Sequence, residues 1–535
     1  MKLCISDLKN RQLWENKGYE LPSFDIEEVK EKTLKQPMWL HFGAGNIFRA
    51  FPAVLQQTLL DKGFCDKGII VCEAFDEEII EKAYAPFDNL SLLVTLKADR
   101  SMDKKVVASI VHAISAKDNM DELEMIFTSP SLQMVSFTIT EKGYSLTDSK
   151  GEYYPNVLSD FKALPEHPKS LMGMIAALCY KRYLAGKLPV ALVSMDNCSH
   201  NGTKLYNAVK AFADSWVKKG LVDADFADYI DNPSTVSFPW SMIDKITPRP
   251  SEQVRALLEA EGFEGADIIR TSKNTYISSF VNAEQTEYLV IEDSFPNSRP
   301  PLEKAGVIFT DRETVDRVEK MKVCTCLNPL HTILAIYGCL LGYTSISEEM
   351  KDRHLKAFIQ KAGFEEGLPV VINPGIIRPE DFINEVIEKR LPNPFVPDTP
   401  QRIACDTSQK IPVRFGETLK AYVTSGKDLD KLTYIPLFFA GWLRYLLGVD
   451  DEGNPFTPSP DPMLEVLQGH IKGILLGDKG PFTEILRPIL SDSKIFGVNL
   501  YEYGLASKVE AMFEELVAGK GAVRKTLEKY MNEKQ

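Results

Sequence analysis

The segment from residue 319 to residue 331 brings together side chains that could move a proton to or from an oxygen. Lys322 precedes Asn328 by six residues, and His331 follows Asn328 by three, so Asn328 and His331 share one helical face. A lysine and a histidine beside an amide can handle both the proton and the polarised oxygen of a carbonyl. Taken alone, Lys322 would be interpreted as a solvated helix lysine, and His331 as a core histidine with its hydrogen bonds satisfied. Only their combination with Asn328 indicates a catalytic site.

A second polar segment follows the predicted buried strand Val190–Val193 and contains Asp196, Asn197, Asn201 and Gly202. In a doubly wound sheet, ligands bind outside the carboxyl ends of the strands, so Asn197 is placed to reach a substrate oxygen. The alternative is an Asx turn that caps the next helix, and it suits Asn201 better than Asn197.

A third segment, from residue 402 to residue 414, carries three cations. Arg402, Lys410 and Arg414 could donate hydrogen bonds to a polyhydroxy or carboxylated chain, and arginine can bind a carboxylate through two parallel bonds. The alternative is ordinary surface charge. Because the net charge of the chain is −13, an anionic substrate would need a local positive pocket.

A turn with two glycines joins the predicted strand Trp39–Phe42 to a predicted helix, Ile47–Leu60. Gly43 permits the tight turn, and Gly45 lets the backbone approach a pyrophosphate at the start of the helix. Phe48 replaces the usual third glycine, and many such turns hold no ligand. The residues predicted to bind the cofactor here are Gly43, Ala44, Gly45, Asn46, Ile47 and Phe48.

Glu73 follows the second predicted strand, Ile69–Cys72. A carboxylate there can accept hydrogen bonds from both adenosine ribose hydroxyls and would repel a 2′-phosphate, which predicts NAD rather than NADP. The gap between Gly45 and Glu73 is longer than the usual ~20 residues. The alternative for Glu73 is a solvated carboxylate at the end of a strand.

Two sets of elements must position these residues, because 535 residues are too many for one hydrophobic core. Residues 37 to about 300 alternate strands with helices, which predicts that residues 1–300 form an α/β, doubly wound, dinucleotide-binding domain. Its later predicted strands are Leu90–Leu96, Val106–Ile114, Met134–Ile139 and Val190–Val193. Residues 301–535 predict a mainly α-helical domain that carries the substrate and catalytic residues. Its predicted helices are Leu327–Leu341, Phe382–Lys389, Tyr434–Leu447 and Lys508–Leu516.

Composition narrows the partners and the compartment. The acidic surface would repel nucleic acid and anionic membranes, so we expect neither as a partner. Met1–Leu8 lacks the apolar core of a signal peptide, and the apolar run Ile333–Leu341 is too short to span a bilayer. Nine scattered cysteines without zinc-site spacing predict reduced thiols, a cytoplasmic protein and no metal.

In this order, the segments resemble the polyol-specific long-chain dehydrogenases, a family that includes mannitol dehydrogenases and the fructuronate and tagaturonate reductases. The similarity runs from about residue 37 to beyond residue 415. The motifs that carry it are His41–Ala50, Thr138–Tyr144, Asp196–Asn197, Asn201–Gly202, Ile243–Pro248 and Ile291–Pro296. The resemblance implies a Rossmann-type N-terminal domain, a helical C-terminal domain, and NAD-dependent hydride transfer without a metal.

The resemblance also implies a role for each residue that matches the family pattern. It implies that Lys322 is the general acid/base, that Asn197 and Asn328 hold the oxyanion, and that His331 binds the substrate. Further positions that it places around the substrate are Asp244, Glu319, Arg402 and Lys410.

One departure from the family pattern concerns the catalytic lysine. In the family this lysine precedes the asparagine by five residues, whereas Lys322 precedes Asn328 by six. A single inserted residue in a helix is usually absorbed as a π-bulge or a break, and Pro329 could mark a break. Lys320 is therefore the competing candidate for the role.

The resemblance favours reduction of fructuronate to mannonate in hexuronate catabolism, since the cations suit a carboxylated substrate and the chain looks closest to the uronate-reducing branch. The alternative is a mannitol 2-dehydrogenase or another dehydrogenase of neutral or phosphorylated polyols. A protein of another class, a non-catalytic NAD-binding sensor, would lack the set formed by Lys322, Asn197, Asn328 and His331. We expect a small-molecule substrate and a monomer or weak homo-oligomer.

Overall fold

The computed structural model describes residues 1–532, and the chain divides into two compact units. The first comprises Met1–Lys97 and Ser101–Asp316, and the second comprises residues 98–100 and the chain from Arg317 onward. This division falls after residue 316 because the strand Ile308–Thr310 still pairs with a strand of the first unit. The domain boundary expected near residue 300 stays a prediction.

The first unit is built on a sheet of six parallel strands. In spatial order the strands are Ile110–Ser115, Ile69–Glu73, Trp39–Phe42, Met134–Phe137, Val190–Ser194 and Val236–Ser237. Numbered along the chain, this order is 3-2-1-4-5-6, which is the order of Rossmann sheets that bind dinucleotides. The predicted fold class, with a Rossmann-type first domain, is confirmed.

Both faces of this sheet are buried, as the nearly continuous apolar strands require. Along the first strand, Leu40 and Phe42 pack into one hydrophobic cluster, while Trp39 packs into the other. The same alternation places Leu192 in the first cluster and Val193 in the second. Because side chains alternate across a strand, each strand anchors helices on both faces of the sheet.

The first unit contains α-helices, short 3₁₀ turns and three further small sheets. Its α-helices are Ile5–Leu8, Arg11–Glu15, Ile26–Lys35, Asn46–Ala50, Pro52–Asp61, Met120–Phe127, Pro155–Asp160, Leu171–Leu184, Asn201–Lys218, Phe226–Asp231 and Glu252–Ala260. The 3₁₀ turns are Ala85–Phe87, Glu141–Tyr144 and Leu302–Ala305. A four-stranded sheet contains Tyr19–Glu20, Met102–Val107, Ser91–Leu96 and Phe280–Glu284. The other two sheets contain Ser241–Asp244, Tyr288–Glu292 and Ile308–Thr310, and Ile269–Arg270 with Tyr276–Ile277.

Two predicted elements of the first unit are each split in the structure. The predicted helix Ile47–Leu60 is two helices that meet at Phe51, whose φ of −135° is not helical. Pro52 has no N–H group and disfavours helical geometry at the residue before it. The predicted strand Val106–Ile114 is likewise two strands, Met102–Val107 and Ile110–Ser115, which belong to different sheets.

The second unit is helical, as predicted. Its α-helices after Arg312–Met321 are Asn328–Leu340, Ile346–Glu349, Arg353–Lys361, Pro379–Glu385, Pro400–Ile403, Thr407–Ile411, Glu417–Thr424, Tyr434–Leu446, Leu464–His470, Thr483–Leu490, Ser493–Phe496, Ala506–Val517 and Ala522–Asn532. Short 3₁₀ turns are Leu368–Val370 and Leu429–Lys431. Between residues 317 and 532, four π-helical turns interrupt the unit, at Lys322–Cys326, Ala362–Gly367, Val386–Arg390 and Pro412–Gly416. A fifth lies in the first unit, at Ile80–Tyr84.

The most apolar helix is longer than the sequence pattern indicated. It extends over Arg312–Leu340, because the π turn at Lys322–Cys326 and a single bend at Leu327 join two α-helical segments. By length and composition this helix could cross a membrane, but 78% of its most apolar window is buried inside the protein. A core helix has the same composition, so the burial supports the interpretation as a buried helix.

Glu349 is a buried carboxyl group in the core of the second unit. Its side chain is 0% exposed and packs directly against Gly338, where no larger residue would fit. Neither carboxyl oxygen has a hydrogen-bond partner among residues 1–532. Burial, together with the nearby charge of Asp352, raises the pKa of Glu349 to about 9. The carboxyl group is therefore neutral in the folded protein near pH 7.

We predict that replacing Glu349 with glutamine makes the stability of the protein less dependent on pH. The folded protein keeps the Glu349 proton up to about pH 9, whereas the unfolded chain releases it above about pH 4.3. Between these values the folded state binds more protons, so the natural protein loses stability as pH rises, by up to about 1.4 kcal/mol per pH unit. Glutamine cannot ionise and removes this slope.

The measurement is the midpoint of thermal unfolding of the natural protein and of Glu349→Gln at about pH 5 and about pH 8. The midpoint of the variant, relative to that of the natural protein, should rise with pH. Glu348→Gln, at the exposed neighbouring residue, is the matched control and should show no such rise. A constant difference for Glu349→Gln would contradict the prediction.

Candidate active site

The predicted cofactor turn lies at the carboxyl end of the first strand of the six-stranded sheet. Gly43 has a φ of +104°, and a Cβ atom there would collide with the Thr138 carbonyl oxygen, so only glycine fits. Gly45 directly precedes the helix Asn46–Ala50, and a Cβ atom on it would meet no other atom within 4 Å. The backbone at Gly45 is therefore open to close approach, as binding of a pyrophosphate requires.

Glu73 is tied to the main chain of two turns. One carboxylate oxygen accepts a 2.8 Å bond from Ala44 N, and the other accepts from the N–H groups of Ala74, Phe75 and Asp76. The side chain is only 6% exposed. Glu73 thus joins the cofactor turn to the turn after the second strand, and its predicted role toward the ribose stays a prediction.

Phe48 stands where a third glycine is usual because it packs against the first strand. Its ring stacks on His41, with ring centroids 4.0 Å apart. His41 contacts the hydroxyl groups of Ser136 at 2.6 Å and Thr138 at 2.9 Å. Burial lowers the pKa of His41 to about 3, so the ring is neutral. The stacking contact between His41 and Phe48 therefore involves no charge.

Sequence reasoning missed two buried residues that hold the cofactor turn in place. Arg49 donates to Ser91 Oγ at 3.0 Å and to the carbonyls of Ser278 and Ser279 at 2.8 and 2.9 Å. Tyr84 donates to the Ala44 carbonyl at 2.8 Å. An arginine inside an apolar helix was the available signal, because a buried cation must have partners.

The segment after the fifth strand is held by Asp196. This carboxylate accepts 2.9 Å bonds from the N–H groups of Ile139 and Thr140, and a 2.6 Å bond from Tyr144. Burial raises the pKa of Asp196. The adjacent Asn197 is exposed at the carboxyl edge of the sheet, where its predicted substrate contact requires it.

Asn201 bridges two loops instead of capping the helix that it begins. Its amide nitrogen donates at 3.0 Å to the carbonyls of Asp196 and Ser241, and its oxygen accepts from Ser241 N at 3.0 Å. The interpretation of Asn201 as a helix cap was therefore wrong. Through this bridge, Asn201 fixes the strand Ser241–Asp244, whose last residue is the predicted substrate residue Asp244, 3% exposed.

Lys322 begins the π turn that absorbs the extra residue before Asn328. Leu327 N donates to the Lys322 carbonyl at 3.1 Å, a bond between residues five apart, so the added residue lies in a π turn, which a non-helical residue, Leu327, follows. Lys322 is 4% exposed, whereas Lys320 is exposed, and Glu319 is partly buried one turn earlier. Because the catalytic group must be shielded from water, the burial favours Lys322 over Lys320.

The π turn at Lys322–Cys326 is braced by neighbours in the second unit. Thr418 Oγ1 donates to the Cys324 carbonyl at 3.2 Å, and Gly367 packs directly against the Thr325 methyl group. Tyr422 in turn donates to the Glu366 carbonyl at 2.9 Å. These contacts hold the backbone that carries Lys322.

His331 lies one helical turn after Asn328, among positive charges. Burial, and to a lesser extent the charges of four cations, lower its pKa to about 3, so the ring is neutral. The four cations are Arg414, Arg390, Arg402 and Lys410. His331 Nε2 is 3.6 Å from Asp398 and has no hydrogen-bond partner among residues 1–532. Within these residues, this buried nitrogen therefore lacks the partner that a polar atom removed from water requires.

The cations near His331 differ in what balances their charge. Arg402 forms an ion pair with Asp398. Lys410 donates to the carbonyls of Ile403, at 3.0 Å, and Cys405. Arg414 donates at 2.6 Å to the Thr332 hydroxyl. The structure therefore brings His331, Asn328, Arg402 and Lys410 together in the second unit, and their role in binding substrate stays a prediction. In the described part of the chain, no three metal-ligating side chains are clustered.

Comparison with known proteins gives two family matches along the chain. Residues 37–304 match the Mannitol dehydrogenase Rossmann domain, and residues 314–517 match the Mannitol dehydrogenase C-terminal domain. Together the two models cover most of the chain, and the resemblance predicted from the motifs is confirmed.

Individual proteins are similar over the whole chain. "D-mannonate oxidoreductase" of Thermotoga maritima is 54% identical over 535 residues, covering 99% of this chain and 98% of that protein. "Mannitol 2-dehydrogenase" of Neosartorya fischeri is 30% identical and covers 92% of this chain and 93% of its own. Among solved structures, Pseudomonas fluorescens mannitol 2-dehydrogenase in complex with NAD and D-mannitol has a TM-score of 0.69, 28% identity and full coverage of both chains.

We predict that Glu73→Gln weakens binding of NADH. The amide has one acceptor oxygen instead of two and no charge, so at least one of the bonds from the two turns is lost. A hydrogen bond to a charged group contributes about 1.5–3 kcal/mol, which corresponds to a rise of roughly 10- to 100-fold in the dissociation constant.

The measurement is titration of NADH against intrinsic fluorescence. Glu81→Gln, at an exposed position shortly after this turn, is the control and should bind NADH normally. Unchanged affinity in Glu73→Gln would show that the turn keeps its shape without the carboxylate.

Proposed function

The chain belongs to the mannitol dehydrogenase family, and from that membership we propose that it is an NAD-dependent oxidoreductase that interconverts fructuronate and mannonate. The observation that carries the proposal is the 54% identity, over 99% of the chain, to a D-mannonate oxidoreductase. A neutral polyol dehydrogenase is the second candidate, because relatives at about 30% identity are mannitol 2-dehydrogenases.

The residues of the first unit fit NAD. The backbone at Gly45 is open to close approach, and the strand order reverses beside this turn, where such sheets bind dinucleotides. Gly43, Gly45 and the turn up to Phe48 would hold the pyrophosphate, and Glu73 would face the ribose. When bound, NAD exchanges a hydride with the carbon that changes between alcohol and ketone.

The protein's own residues hold the reacting oxygen and move its proton. In the oxidative direction, Lys322 takes the hydroxyl proton, and in the reductive direction it returns a proton to the same oxygen. Asn197 and Asn328 donate hydrogen bonds to that oxygen as negative charge develops on it. Glu319, one turn before Lys322, exchanges the proton with solvent.

The rest of the substrate is bound by side chains that donate hydrogen bonds and by side chains that accept them. The neutral His331 offers Nε2, which lacks a partner among residues 1–532, to a substrate hydroxyl group. Arg402 and Lys410 donate hydrogen bonds to the end of the substrate far from the reacting oxygen, and Asp244 accepts one from a substrate hydroxyl group. A full set of such groups argues against a sensor that binds NAD without turnover.

We further propose a cytoplasmic enzyme that acts as a monomer or weak homo-oligomer on a small sugar acid. The net charge of −13 disfavours nucleic acid and anionic membrane surfaces as partners.

The substrate is tested by the ratio of kcat/KM for fructuronate to that for fructose, measured as oxidation of NADH. A carboxylate held by charged hydrogen bonds should favour fructuronate by about 1.5–3 kcal/mol, or roughly one to two orders of magnitude. A higher value for fructose would identify a neutral polyol enzyme. Absence of NADH oxidation with either ketone, or with tagaturonate, would favour the sensor.

The catalytic lysine is tested by Lys322→Ala. Loss of the general acid/base should lower kcat by roughly 10²–10⁴-fold while NADH affinity stays nearly unchanged. Lys320→Ala, at the exposed neighbouring lysine, is the matched control and should keep most of the activity. The reverse pattern would move the role to Lys320.

A further inference from the structure

Arg414 is a cation of the second unit to which the proposed mechanism gives no role. It lies in the π turn Pro412–Gly416, about one turn after Lys410, and its side chain is partly buried. Nη1 donates to Thr332 Oγ1 at 2.6 Å and to the Asn328 carbonyl at 3.4 Å. Nε and Nη2 form no hydrogen bond to any of residues 1–532.

The charge of Arg414 has no counter-ion in the described part of the chain. Its two partners are a hydroxyl group and a carbonyl group, and no carboxylate lies within ion-pair distance. Burial lowers the pKa of Arg414 to about 10, which leaves it charged near pH 7. A cation that is removed from water without an opposite charge is costly, so the site favours an added anion.

The neighbouring cations are better compensated. Asp398 forms an ion pair with Arg402, and Lys410 donates hydrogen bonds to two main-chain carbonyls. Of the four positive charges that act on His331, the charge of Arg414 lowers the pKa of His331 the most. The uncompensated charge therefore lies beside His331 and Asn328, the residues proposed to bind substrate.

We propose that Arg414 is the residue that selects a substrate with a carboxylate over a neutral polyol, by donating hydrogen bonds from Nε and Nη2 to the two carboxylate oxygens. Nε and one Nη atom form one edge of the guanidinium group, and this edge matches a carboxylate in a bidentate pair. The hydroxyl group of Thr332 holds the other side of the group. This inference rests on the proposed function, because it assigns the end of the sugar acid that distinguishes mannonate from mannitol.

The competing role for Arg414 is purely structural. Its bond to the Asn328 carbonyl could position the Asn328 side chain, in which case its loss would harm every substrate equally. Recognition of the carboxylate instead contributes equally to the bound substrate and to the transition state, so its loss raises KM and leaves kcat nearly unchanged. The two roles therefore predict different kinetics.

The test compares the natural enzyme with Arg414→Gln and Arg414→Lys in oxidation of mannonate and of mannitol with NAD⁺. We expect Arg414→Gln to raise KM for mannonate by roughly 10- to 100-fold, with kcat within about threefold, and to leave kcat/KM for mannitol nearly unchanged. Arg414→Lys keeps the charge but not the planar edge. Its KM for mannonate should therefore lie between that of the natural enzyme and that of Arg414→Gln.

The matched control is Arg378→Gln, at an arginine whose side chain is 73% exposed and paired with Glu380. It should match the natural enzyme with both substrates. A fall in kcat for mannonate with KM unchanged, or parallel losses with mannonate and mannitol, would overturn the proposal in favour of a positioning role.

Two further outcomes separate this inference from the proposed function. If Arg414→Gln does not fold, Arg414→Lys alone decides, because an unchanged KM for mannonate would overturn the proposal. If the natural enzyme does not oxidise mannonate, the proposed function fails and the inference fails with it. If the natural enzyme prefers mannonate and Arg414→Gln keeps that preference, only the inference fails.

Discussion

One hydrogen bond, from Leu327 N to the Lys322 carbonyl at 3.1 Å, sets the geometry of the helix on which the proposed chemistry depends. In a regular α-helix, one added residue rotates everything beyond it by about 100°. Lys322 would then point away from the face that carries Asn328 and His331. The π turn takes up the added residue within one turn and lets the helix continue to Leu340. The lysine thereby keeps its place relative to the asparagine despite the longer spacing.

A π turn is rare because its hydrogen bonds are poorer than those of an α-helix, so the surrounding structure must stabilise it. Here side chains from later elements bind carbonyl groups of the turn and of the helix after it. Thr418 binds the Cys324 carbonyl, while Thr332 and Arg414 bind the Asn328 carbonyl. The side chains that bind these carbonyl groups are thus interleaved with the groups that are proposed to bind substrate.

Most of the architecture could be predicted from local pattern, whereas the contacts that fix the site could not. Apolar strands such as Trp39–Phe42 are visible because both faces of a parallel sheet are buried. The break at Phe51 was missed although Pro52 marks it, because the apolar pattern continues through it. The added residue before Asn328 could be noticed only because a family spacing was available for comparison, and the sequence left open whether a π turn or a break absorbs it. The main-chain partners of Glu73 come from several turns, and local sequence does not encode such contacts.

The overall charge of the chain and the charge of its candidate site have opposite signs. The two are compatible because salt screens the charges that lie far from the site. A net charge of −13 repels a sugar acid only weakly beyond the Debye length, which is about 8 Å at physiological ionic strength. Within the site, partial burial reduces screening, and nearby cations without a counter-ion outweigh the distant surface carboxylates. Selection between an acid and a neutral polyol therefore depends on which nearby cations are already neutralised. Counting cations in the sequence cannot show this, since Arg402 and Arg414 look alike until Asp398 is seen beside only one of them.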